Sequence, residues 1–110
     1  MAKRRTSIER GSGNVFKDLG YADAKERTLK VQLAMEVNQL LNERGLTQGE
    51  CARVLGILQP HVSDLARYRL DQFSVERLMN FLTDLGKDVE IRIRPRPPRR
   101  GRSAIRVLHA

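Results

Sequence analysis

Apolar residues recur at intervals of three and four along most of this chain and, after Gly86, at intervals of two. Leu29, Leu33, Val37, Leu40 and Leu41 lie on one face of a helix, and Gly45 supplies the left-handed position that stops it. Asp23 with Glu26 three residues on reads as a capping box, so this first helix is expected to begin there. Thr47 and Glu50 repeat the device and open a short helix ending at Gly56, with Cys51, Ala52, Val54 and Leu55 as its packing face. A third helix is expected from about Gln59 to Arg67, with Val62 and Leu65 facing inward. Pro60 is tolerated there because the first turn has no intrahelical partner for that amide. Ser74 caps a fourth, with Glu76 favourable to the dipole, Leu78, Phe81, Leu82 and Leu85 as the apolar face and Gly86 as its end.

In DVEIRIRP, Val89, Ile91 and Ile93 alternate with Glu90, Arg92 and Arg94, the pattern of a half-buried strand stopped by Pro95. A lone strand needs a partner, which is either Ala104–Leu108 of the same chain or the equivalent strand of a second subunit. The expected fold is mainly α: a bundle of about four to five helices with a C-terminal β-strand. Residues 1–14 are polar and aperiodic and read as a disordered basic arm, whose end Val15, Phe16 and Leu19 would dock. Residues 15–86 form the helical domain, 87–94 the strand and 95–110 an extended Arg/Pro-rich tail. A chain of 110 residues has room for one modest core.

The formal net charge of +8 is unevenly placed. Residues 1–10 carry +3 and residues 91–110 carry +7, which leaves −2 on residues 11–90. Basicity is therefore a property of the ends, and any nucleic-acid role of the middle must rest on its pattern. The arginines of the tail fit two roles equally, solubility and sequence-blind contact with a phosphate backbone. No run of about 18 apolar residues is available to span a bilayer, the N-terminus lacks an apolar signal region, and a cytoplasmic protein is expected. Cys51 stands alone, a small packing residue, and His61 and His109 add no metal-ligand spacing. Without a carboxylate pair, a nucleophile set or a phosphate loop, neither an enzyme nor a cofactor is expected.

The discriminating stretch is LTQGECARVLGILQPHVSDLARYRL, residues 46–70. Gln48, Ala52, Gly56, Val62 and Leu65 occupy relative positions 1, 5, 9, 15 and 18, the spacing that sets a helix-turn-helix. A small Ala52 lets the third helix cross, Gly56 permits the positive φ of the turn, and Val62 and Leu65 lock the second helix of the pair. Gln59, His61, Ser63, Asp64 and Arg67 are then left pointing outward, an array suited to base edges and phosphates. Asp64 is expected to pair with Arg67 at i,i+3 or to repel wrong bases, rather than to add affinity beside phosphates.

With LTQ before the motif and FSVERLMNFLTDLGKDVEI after it, the chain resembles the lambda-repressor-like (XRE-type) helix-turn-helix proteins. Residues 14–94 are similar more narrowly to the HigA-type antitoxins and regulators. That resemblance implies a homodimer on a palindromic double-stranded DNA operator, repressing its own transcription, often with a RelE/HigB-like ribonuclease toxin as partner. The alternative it leaves open is a chain that chiefly neutralises such a toxin. Carried over by position, it implies that Gln48 contacts a phosphate, Gln59 reads a base, His61 stands where arginine or lysine is usual, Ser63 keeps a hydroxyl, and Arg67 and Arg69 contact the backbone. Two positions depart from the pattern: Leu58 where a polar cap normally precedes the recognition helix, and Tyr68 where glycine usually ends it.

Overall fold

The computed structural model describes residues 15–96 and 105–109, with side chains from residue 24 onward. Four helices follow one another, α1 (Val15–Arg44), α2 (Gln48–Leu55), α3 (Gln59–Ala66) and α4 (Val75–Asp84). No fifth helix occurs among the described residues.

α1 begins at Val15, eight residues ahead of the capping signature at Asp23. No proline lies between these positions, and the cost of Gly20 is offset by the strong helix formers on either side, among them Lys17, Leu19, Ala22, Ala24 and Lys25. Once the preceding turns are helical, the amides after Asp23 already have carbonyl partners four residues back, and the cap has nothing left to satisfy. The docking role expected of Val15, Phe16 and Leu19 lies outside the described side chains, as the arm 1–14 lies outside the described residues.

The other boundaries follow local chemistry. Thr47 and Glu50 form the capping box of α2, with Glu50 N donating to Thr47 Oγ1 at 3.2 Å and Thr47 N to Glu50 Oε1 at 2.9 Å. Gly45 and Gly56 take φ of +65° and +69°, the left-handed turns that end α1 and α2. Ser74 Oγ accepts from Arg77 N at 3.0 Å to start α4, and Gly86 follows that helix at φ +86°.

The core joins Leu33, Ala34, Val37 and Leu41 of α1 to Cys51 and Leu55 of α2, Val62 and Leu65 of α3, and Leu78, Phe81 and Leu82 of α4. Leu29 and Leu40, expected on the same α1 face, pack at its half-buried margin. Leu70 and Phe73, in the loop before α4, are also buried. Phe73 meets Phe81 edge to face at 5.8 Å, and the Arg77 guanidinium lies over both rings at 5.6 and 5.7 Å. Arg44 Nη2 donates to the Leu85 carbonyl at 2.7 Å, closing the end of α4 against the end of α1.

The expected strand 88–94 forms no ladder among the described residues, and Ile91 and Ile93 face solvent. A strand exists only with a neighbour, and the intrachain candidate is engaged elsewhere. Residues 105–109 run along α1: Val107 N donates to Gln32 Oε1 at 2.9 Å and His109 Nδ1 lies 2.8 Å from Glu36 Oε1. The spacings agree, since alternate residues of an extended chain advance about 6.6 Å and one turn of helix from residue 32 to 36 about 6 Å.

Candidate nucleic-acid interface

The angle between α2 and α3 is set at three places. Gly56 caps α2 and donates its amide to the Ala52 carbonyl. Ile57 N reaches the same oxygen at 3.0 Å, so the chain leaves α2 folded tightly over Ala52, itself half-buried. Val62 and Leu65 then pin α3 from below, the latter with no exposed surface. Asn38 of α1 adds a tie the sequence reading missed, donating Nδ2 to the Leu65 carbonyl at 3.1 Å. A side-chain bond between residues 27 apart leaves no signal in a local pattern.

With these inward residues fixed, the other face of α3 is open. Gln59 and Arg67 are exposed and Ser63 half-buried between them. Positions four apart on a helix stand one above another, so the three form one row, while half-buried His61, two residues on from Gln59, lies on the opposite flank of α3 next to Leu65. Among the described residues, none of these four side chains forms a hydrogen bond or ion pair within the chain, so their donors and acceptors are available to a ligand. Gln48 is exposed at the first position of α2, where the capping box leaves the amides of Gln48 and Gly49 as free first-turn donors.

Asp64 does not pair with Arg67. Its carboxylate accepts from Gln72 Nε2 at 2.7 Å and lies 4.0 Å from Arg69 Nη1. The cause is the end of α3: Tyr68 takes a left-handed φ of +61°, which swings the chain back and brings Arg69 N to the Asp64 carbonyl at 2.8 Å. Arg69 thus sits on the rim of the α3 face with its side chain 67% exposed, held by an ion pair too exposed to contribute much to stability. Leu58 has the extended backbone of an N-cap but offers no side-chain bond, as the sequence departure indicated.

The acidity of Glu50, at the start of α2, is shifted. The Thr47 amide, then the Thr47 hydroxyl, and more weakly Arg53, hold it below the usual carboxylate range. Burial pushes the Cys51 thiol up, with Glu50 adding to the effect, in keeping with a packing residue.

Two short helices crossing over a small residue, the second presenting a polar face, define a helix-turn-helix module. Residues 15–94 match the family of helix-turn-helix domains, and the chain belongs to that family. A solved structure described as an XRE family transcriptional regulator is similar at 46% identity and a TM-score of 0.77, over 80% of this chain and 99% of that one. The fold is therefore of the XRE type. No curated protein matches the chain. No helix among the described residues is long and apolar enough to cross a membrane.

Proposed function

We propose that this protein is a sequence-specific DNA-binding transcriptional regulator, a repressor that meets a palindromic operator as a homodimer, with its two α3 helices in successive major grooves about 34–36 Å apart. The observation that carries this reading is the row Gln59, Ser63 and Arg67, directed outward while Val62 and Leu65 are buried beneath it. Gln59 is the base reader, since its amide both donates and accepts and so matches the N6/N7 edge of adenine. His61 and Ser63 contact the adjoining base or phosphate. Arg67 and Arg69 take the backbone at one end, and Gln48 with the first amides of α2 takes it at the other.

Selection of bound duplexes from a random pool tests this. A consensus with two-fold symmetry is expected. Gln59→Ala should lose about 1–3 kcal/mol on that consensus and relax one base position, whereas Arg67→Ala should weaken all duplexes alike and lower the salt slope by about 1. A pool that yields no preference would remove the reading.

A second role, HigA-type antitoxin, is supported by a different surface. A groove between α1 and Tyr68 is lined by Met35, Glu36, Gln39, Asn42 and Glu43. Its two acids, Glu36 and Glu43, beside the apolar Met35 and Tyr68 complement a small basic protein such as a RelE/HigB-like ribonuclease, which would displace His109 from Glu36 and leave the DNA-facing row free. Co-expression with an adjacent reading frame of that kind should give a stable complex that Glu36→Lys with Glu43→Lys disrupts. A complex indifferent to both changes would move the toxin off this groove.

A further inference from the structure

Past α4 the chain leaves one row of large apolar side chains in water: Val89 is 36% exposed, Ile91 74% and Ile93 92%. Single exposed hydrophobics are ordinary on a surface, but three on one side of an extended segment call for a cover. The charges between them show what that cover is. Asp88 and Glu90 precede Ile91, while Arg92 and Arg94 follow it. The order acid, apolar, acid, apolar, base, apolar, base is its own complement when rotated by a half-turn about its middle residue.

We propose that residues 88–94 pair antiparallel with the same residues of a second copy, in the register that sets Ile91 against the partner's Ile91. Glu90 then faces the partner's Arg92 and Asp88 the partner's Arg94, each twice by symmetry, and Val89 faces the partner's Ile93. Slipping by two residues in one direction stacks Arg92 on the partner's Arg92, and in the other Glu90 on the partner's Glu90. Like charges directly opposite are unfavourable, so both are disfavoured. A slip by one sets apolar positions against charged ones and splits the apolar row between two faces. Pro95 settles the hydrogen-bond phase. It lacks an amide proton and must occupy a non-hydrogen-bonded position, which in this register makes Ile91 the centre of a non-hydrogen-bonded pair as well. Such pairs are the close ones, with Cα atoms about 4.5 Å apart.

This interface rests on the homodimer proposed above, and the test separates the two. In the full chain carrying Cys51→Ala, Ile91→Cys should cross-link to a covalent dimer under mild oxidation, since its Cα separation is within disulfide reach. Ile93→Cys, facing the partner's Val89 and about 13 Å along the ladder from the partner's position 93, should not cross-link. A second pair of variants reads the charges. Arg92→Glu with Arg94→Glu makes the segment wholly acidic, and Asp88→Arg with Glu90→Arg makes it wholly basic. Each alone should sediment as a monomer, and their mixture as a heterodimer. Equal cross-linking at 91 and 93, or charge variants that each still dimerise alone, would overturn the register while leaving a homodimer. A parent chain that stays monomeric at every concentration would remove the homodimer too, whatever its affinity for DNA.

Discussion

The side-chain amide of Asn38 donates to the carbonyl of Leu65 across 3.1 Å, tying the middle of the longest helix to the last turn of α3. Leu65 has no exposed surface, so this polar link sits directly beside an apolar one and the two fix α3 in both position and rotation. Any helix-turn-helix needs its second helix held at a set angle, and here part of that duty falls on a residue outside the motif.

Asn38→Ala should therefore lower stability by about 1 kcal/mol, the usual worth of one hydrogen bond, and the melting temperature by about 4–8 °C. It should also weaken specific DNA binding at temperatures where the variant is still folded. Calorimetry paired with a binding titration checks both, and a loss confined to stability would show that α3 keeps its angle without the tie.

The two ends of the motif make opposite demands on glycine. Gly56→Ala meets no atom within 4 Å, so its penalty is the left-handed φ of +69° alone, about 1–2 kcal/mol less the entropy alanine restores. Tyr68→Gly removes the same kind of strain at φ +61° and should stabilise by up to about 1 kcal/mol. Urea midpoints measured side by side should move in opposite directions.

Leu58 already has the backbone of an N-cap and is 67% exposed. Leu58→Ser should stabilise α3 by up to about 1 kcal/mol, its hydroxyl sharing the His61 amide that already donates to the residue-58 carbonyl at 2.9 Å, because Pro60 has none to give. Leu58→Asp should stabilise comparably but weaken DNA binding, placing a negative charge where phosphates approach. Comparing the two variants separates the helix effect from the charge effect.

The capping box gives a pH dependence of known sign. Glu50 is more acidic folded than unfolded, because Thr47 hydrogen-bonds its carboxylate. Its contribution is therefore fully present above the unfolded carboxylate value and lost as pH falls through the folded one. Glu50→Gln keeps much of the geometry without titrating, so the stability gap between parent and variant should shrink between about pH 6 and about pH 3. Denaturant titrations at the two ends of that range measure it.

What the sequence disclosed was what nearest neighbours decide. Thr47 with Glu50, Ser74, and the glycines at 45, 56 and 86 mark their boundaries because capping involves residues three or four apart. Asp23 carries the same signature and marks nothing, since the helix had already begun. Leu70 and Phe73 escaped notice because a loop has no period to set them apart, although both are buried. The Asp64 partner was misread because the left-handed turn at Tyr68 brings Arg69 and Gln72 to that carboxylate, a reversal that no helical spacing signals. The alternation at 88–94 was visible, but pairing needs a neighbour that this part of the chain does not itself supply.

The contact between Val107 and Gln32 joins residues 75 positions apart. With the end of α4 already tied to α1, the segment left to close is the one after Gly86, and the entropy penalty of ordering it is answered by little more than one hydrogen bond, one partly exposed His109–Glu36 contact and the partial burial of a valine. So slight a clasp should open before the buried helices do. The Val107 amide should therefore exchange its proton with solvent far sooner than amides of the buried helices, through openings that leave the rest of the molecule intact.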